Sequence, residues 1–151
     1  MESPKKLHSQ IVSHCNKLSE LCKSFSVNIE SQCDETEFKE NARDILTTSK
    51  HIVQTVENFL QERPQDMVEK TELQENFVVE YKDNLLENIV KMIRCAKSYF
   101  AHRLDIKSQL DFSNARDEVF KFSKSLIDAS KSNTLILIHT QHLKLIHKFF
   151  C

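Results

Sequence analysis

The chain of 151 residues contains no glycine, and this absence constrains its fold more than any other feature. Phosphate-binding loops, dinucleotide-binding turns and nucleophile elbows need glycine where the backbone turns sharply or approaches a ligand. Most tight β-hairpins need it as well, because their turns use positive φ angles. Helices can end on asparagine or serine instead. The composition therefore favours an all-α fold and argues against most familiar classes of enzyme.

The length of the chain suits one domain with a substantial core, so residues 1–151 are interpreted as a single helical-bundle domain. The first residues, MESPKKLHSQ, lack the apolar centre of a signal peptide, and no stretch is long enough to span a membrane. The five cysteines show no paired zinc-ligand spacing. These observations predict a reduced, cytoplasmic protein, and leave open whether the chain is a fragment of a longer one.

Apolar residues repeat in alternating steps of four and three along the first part of the chain. Ser3 and Pro4 favour a helix start, as a capping hydroxyl and a first-turn proline. The repeat that follows consists of Leu7, Ile11, Cys15, Leu18, Cys22, Phe25 and Ile29. This spacing places all of them on one face of a helix. It predicts a first helix packed along its whole length, with Cys15 and Cys22 pointing inward.

Similar spacing continues through the rest of the chain, interrupted at SQCDETE, at Pro64, at the polar stretch DIKSQLD and at Asn133. The segments between these breaks predict helices at residues 4–31, 36–62, 71–103, 113–131 and 134–150. In the second of them, Leu46, Val53 and Leu60 widen the apolar face beyond a single stripe. We therefore predict an antiparallel up-and-down bundle of four or five helices.

The last stretch, Thr134 to Cys151, is the most apolar and contains the run LILI. It is too short, and too rich in histidine and lysine, to cross a bilayer, so other parts of a protein should cover it. His139 and His142 form an i, i+3 pair near His147 that would suit a metal. No cysteine or carboxylate lies at a second ligand spacing, however. The histidines are interpreted as core or boundary residues, and no metal or cofactor is predicted.

Two further kinds of chemistry are also disfavoured. Cys95 and His102 lie two helical turns apart, or about 10 Å, which is too far for direct proton transfer. Tyr99 and Phe100, near Lys97, occupy core positions rather than alternating with a basic stripe, as a nucleic-acid surface requires. The sequence therefore predicts neither catalysis nor nucleic-acid binding.

Charge is distributed unevenly, although the net charge is only −1. From Asp34 to Glu80 there are 12 acidic and 5 basic side chains, a balance of −7. From Lys121 to the end there are 5 lysines and 1 aspartate, a balance of +4. This asymmetry fits either complementary faces within one bundle or a basic surface that meets an acidic partner.

The basic, apolar end of the chain is the predicted site for a partner. An acidic amphipathic helix would lay its leucines between the last two predicted helices while lysines meet its carboxylates. The predicted partner-binding residues are Lys121, Lys124, Leu137, Lys144 and Lys148. Closure of the bundle by the same side chains remains the alternative interpretation.

The stretch FKENARDILTTSKHIVQTVENFL, from Phe38 to Leu60, resembles helices of vinculin and α-catenin. In those helices an Ala-Arg-x-(x)-Leu start precedes small and aliphatic residues on one face. The long up-down helices also resemble focal-adhesion-targeting bundles. The resemblance implies a non-catalytic adaptor or scaffold of the cell-adhesion or cytoskeletal type, which binds amphipathic helices, phospholipids or actin. Self-association through the apolar C-terminal helix, as a homodimer face, is the second hypothesis.

Overall fold

The chain is an all-helical bundle in a computed structural model. The structure describes the backbone of residues 4–62 and 68–150, and the side chains of residues 6–58 and 78–131. These residues form four helices and no strand, namely α1 (Pro4–Glu30), α2 (Glu35–Glu62), α3 (Val68–Ala101) and α4 (Ile106–Phe150). Within the described part of the chain, no helix is long and apolar enough to cross a membrane.

A tight turn with a helix cap on each side connects α1 to α2. Gln32 adopts the left-handed conformation, with φ of 63°. The amide of Cys33 then donates to the Asn28 carbonyl at 3.0 Å, which satisfies one of the last carbonyls of α1. On the other side, Asp34 Oδ1 accepts a hydrogen bond from the Glu37 amide at 2.8 Å and caps the start of α2.

The C-terminal half of the chain differs from the prediction, because α4 is one helix where two were expected. It begins at Ile106 rather than near residue 113, since Asp105 caps it by accepting hydrogen bonds from the Ser108 amide at 3.3 Å and hydroxyl at 2.7 Å. It also continues through Asn133 and Thr134. Neither residue is a strong helix breaker, and each costs only about 0.7 kcal/mol relative to alanine in a helix.

The stripe predicted for the first helix is the centre of the core. All of its members, from Leu7 to Ile29, are at most 1% exposed. Cys15 and Cys22 are fully buried among them, as predicted. The Arg116 guanidinium of α4 reaches this core, where its Nη1 donates to Ser26 Oγ at 3.1 Å. The α1 stripe therefore serves as the surface on which other helices pack.

An aromatic cluster links all four helices at one end of the bundle. Phe25 of α1 lies 5.1 Å from Phe38 of α2 and 5.9 Å from Phe112 of α4, measured between ring centroids. Phe38 in turn lies 4.7 Å from Phe100 of α3. Because the rings are tilted or edge-to-face rather than stacked flat, their quadrupoles attract one another.

The contacts that α1 makes with α2 and with α4 follow a consistent order along the chain. These contact pairs are His8–Ser130 and Ser26–Arg116 with α4, and His14–His51 and Phe25–Phe38 with α2. For each neighbouring helix, the later residue of α1 meets the earlier residue of that helix.

Candidate functional site

An open groove runs between α2 and α3. Two adjoining cavities, of about 450 Å³ and about 410 Å³, share Leu46 and Lys50 and so form one continuous surface. Over the described residues, α2 and α3 make the least extensive contact of any two consecutive helices. We call this surface the α2–α3 groove. It has an apolar floor and a basic rim.

The floor of the α2–α3 groove is apolar and partly open to solvent. It comprises Ala42, Leu46 and Val53 of α2 and Leu86 of α3. Leu46 is 42% exposed although its neighbour in sequence, Ile45, is fully buried. The stripe of α2 that contains Ile45 lies in the core, whereas the second apolar stripe, with Leu46 and Val53, lines the open groove beside Leu86 of α3.

An exposed apolar residue of α3 lies next to the groove, one helical turn from its wall. Val90 is 49% exposed and follows Leu86 by one helical turn, so both lie on the same side of α3. Large exposed aliphatic side chains in a groove and beside it are a feature of surfaces that bind another protein. The groove is therefore a better candidate for a binding surface than isolated exposed residues would be.

The rim of the α2–α3 groove is basic. It carries Lys39, Arg43 and Lys50 from α2 and Lys97 from α3, all exposed. Among its described lining residues there is no carboxylate. Lys39 forms an exposed ion pair with Glu35 at 3.0 Å, but the other three cations form no ion pair with a described residue. An exposed pair of this kind contributes little, so the rim as a whole favours an acidic ligand.

Two of the five partner-binding residues predicted from the sequence have described side chains, and both lie outside the α2–α3 groove. Lys121 and Lys124 are exposed on α4, and Lys121 Nζ lies 5.5 Å from the centroid of the Phe122 ring. The side chains of Leu137, Lys144 and Lys148 lie outside the described residues. Neither Lys121 nor Lys124 lines the α2–α3 groove. The sequence signal that pointed to the groove was the wider apolar face of α2, formed by Leu46 and Val53.

A pair of histidines joins α1 to α2. The ring centroids of His14 and His51 are 5.6 Å apart. Partial burial lowers the pKa of His14, and the positive charges that His51 and Lys17 can carry lower it further. Among the residues whose side chains are described, no three histidine, cysteine or acidic residues are grouped to hold a metal. His139, His142 and His147 lie outside those residues.

The cysteines of α1 are unsuited to nucleophilic chemistry. Burial raises the pKa of the Cys22 thiol to about 12, against a smaller opposing effect of the Arg116 charge. Burial also raises the pKa of Cys15. Both thiols are therefore protonated at neutral pH and inaccessible to a substrate. Cys95 is half-buried against the core, while His102 is exposed near the end of α3.

Comparisons of this chain with protein-family models, with curated proteins and with solved structures each found no match.

Proposed function

We propose that this chain is a non-catalytic protein-interaction module that binds an acidic amphipathic helix of a partner protein in the α2–α3 groove. The observation that carries the proposal is the combination of an apolar floor, containing Leu46 and Val53, with a basic rim that includes Arg43 and Lys97. An amphipathic helix would bury its leucines on the floor while its flanking carboxylates meet the rim.

The proposal includes the architecture of the bundle, which we infer to be antiparallel and up-and-down. The contact order along α1 supports this arrangement, because His8 meets Ser130 and Ser26 meets Arg116. In such a bundle neighbouring helices pack lengthwise, so one more helix can lie along the groove between two of them.

We further propose that the module acts as an adaptor or scaffold in the cytoplasm, in cell-adhesion or cytoskeletal assembly. The resemblance of Phe38 to Leu60 to vinculin and α-catenin helices supports this assignment. The same stretch supplies the α2 wall of the groove.

The proposal is tested with a designed peptide of about 15 residues, the number of helical residues needed to lie along the groove from Lys39 to Gln54. The peptide carries leucines at alternating three and four spacing, flanked by glutamates. Its binding is measured by fluorescence anisotropy for the wild type and for two charge-reversed variants. The first variant carries Arg43→Glu and Lys50→Glu in the groove rim. The second carries Lys121→Glu and Lys124→Glu on α4. Both variants change the net charge of the protein by the same amount.

The groove variant should bind the peptide at least about tenfold more weakly, because two attractive pairs of up to about 1 kcal/mol each become repulsive. The α4 variant should stay within about twofold of the wild type. Both variants alter exposed positions, so their melting temperatures should match that of the wild type. A loss of binding confined to the α4 variant would transfer the site to α4, and no binding by the wild type would refute the proposal.

Self-association is the second candidate function, and the length of α4 favours it. The 45 residues of α4 span about 67 Å, whereas the 27 residues of α1 span about 40 Å. Because Ser130 contacts His8, near the start of α1, the helix backbone continues from there to Phe150 past the beginning of α1. Sedimentation velocity at several concentrations distinguishes self-association from the partner-binding function, since a dimer formed by α4 would dissociate on dilution.

A further inference from the structure

The α2–α3 groove is electrically asymmetric along its length. The half near the start of α2 is lined by Phe38 and Ala42 and carries Lys39, Arg43 and, across the groove, Lys97. The half further along α2 is lined by Ser49, Val53, Gln54 and Leu86. Leu46 and Lys50 lie where the two halves meet. We call these the basic half and the neutral half.

Cations occur on both walls of the basic half. Lys39 and Arg43 are one turn apart on α2, and Lys97 faces the same cavity from α3. A helix lying there would therefore meet positive charge along both of its edges. Carboxylates on both sides of its apolar stripe could therefore pair with these cations while its leucines stay on the apolar floor.

Exposed acidic residues adjoin both halves without lining either. Glu40 and Asp44 follow Lys39 and Arg43 of the basic half, and others adjoin the neutral half. Glu57 is exposed one turn after Val53 on α2, and Glu87 is exposed beside Leu86 on α3. Asp83, three residues before Leu86, is also exposed and contacts Lys82 Nζ at 3.3 Å. Among the described lining residues of the neutral half, Lys50 is the one cation, so a ligand carboxylate there would gain much less than in the basic half. The lining of the groove thus changes from strongly basic to nearly neutral along α2.

We propose, building on the function proposed above, that the partner helix is charge-polarised. Its acidic residues are confined to the half that lies over Arg43 and Lys97. The half that lies over Val53 and Leu86 is uncharged or basic. The apolar stripe runs through both halves, so hydrophobic contact supplies much of the affinity while the charge gradient sets the orientation.

This polarity is tested with two designed peptides of identical composition and identical leucine stripe. In the polarised peptide, glutamates flank the stripe in one half and lysines flank it in the other. In the mixed peptide, glutamate and lysine alternate along the whole length. The polarised peptide should bind the wild-type protein about tenfold more tightly, and Lys97→Glu should weaken its binding much more than that of the mixed peptide.

A nitroxide label on the acidic end of the polarised peptide then reports its orientation. It should broaden the amide signals of Ala42 and Lys97 in an NMR spectrum and leave those of Val53 and Leu86 sharp. Equal affinity of the two peptides, or broadening centred on Val53, would overturn the polarity while leaving the groove as the binding site. Failure of both peptides to bind would overturn the proposed function as well.

Discussion

Removal of the Phe25 ring should destabilise the bundle more than any change at an exposed position. Phe25 is fully buried, and its ring contacts Phe38 of α2 and Phe112 of α4. Truncation of such a ring to alanine costs about 3–5 kcal/mol, through lost burial and the cavity left behind. The pair formed with Phe112 should account for about 0.5–1.5 kcal/mol of this beyond burial alone.

Urea denaturation followed by circular dichroism measures the free energy of unfolding of Phe25→Ala, and thermal melts should show a midpoint lowered by roughly 6–20 °C. The matched control is Val27→Ala on the same helix, which is 57% exposed and should change stability by less than about 0.5 kcal/mol. A double-mutant cycle with Phe112→Ala isolates the ring–ring coupling. A loss below about 1 kcal/mol for Phe25→Ala would refute the aromatic cluster as the junction of the helices.

Three further perturbations test local features of the bundle. Folding lowers the pKa of His14, so the unfolded chain takes up this proton at a higher pH than the folded chain does. The free energy of unfolding should therefore decrease as the pH falls below about 6.5. In urea titrations at several pH values, His14→Gln should make this decrease smaller. Gln32→Gly should raise stability by roughly 0.5–1 kcal/mol, because relief of left-handed strain exceeds the added entropy cost of glycine. Asp34→Ala should lower stability by about 1 kcal/mol, since the amide of Glu37 loses its cap.

For each of these three variants, one result would contradict the physical reason given for its expected effect. An unchanged pH dependence for His14→Gln would mean that other groups cause the decrease. A destabilised Gln32→Gly variant would show that the glutamine side chain makes a contribution larger than the backbone strain. For the cap, Asp34→Asn is the matched control, because asparagine also caps helices well. If Asn and Ala at position 34 cost the same, capping is not the reason for the loss.

Much of the core was predictable from the sequence, because residues spaced three and four apart lie on the same face of a helix. The stripe from Leu7 to Ile29 was predicted residue by residue and is buried throughout. The end of α1 and the start of α2 were also close to their predicted positions, since Asp34 marks a cap in sequence as well as in structure. Local chemistry determines such features, and distant residues change them little.

The extent of α4 was not predictable on the same grounds. Asp105 and Ser108 form a helix start within the polar stretch that was interpreted as a linker. Asn133 was interpreted as a helix end, yet the backbone remains helical there. Asparagine is compatible with both conformations, and the choice depends on energies below about 1 kcal/mol that local sequence does not reveal.

The candidate site was only partly visible in the sequence, because a summed charge hides the side of the helix on which each charge lies. Lys39, Arg43 and Lys50 belong to the acidic middle of the chain, whose balance is −7, yet they line a groove without a described carboxylate. The sequence did predict the widened apolar face of α2, through Leu46 and Val53. That α3 would leave it open could only be learned from the packing of the helices.

The binding surface itself can be mapped by titrating isotope-labelled protein with the acidic amphipathic peptide and following amide chemical shifts. If the α2–α3 groove is the docking surface, the largest shifts will fall on both of its walls, at Leu46 and Lys50 of α2 and at Leu86 and Lys97 of α3. Shifts concentrated around Lys121 and Lys124 of α4, with the groove residues unchanged, would contradict it.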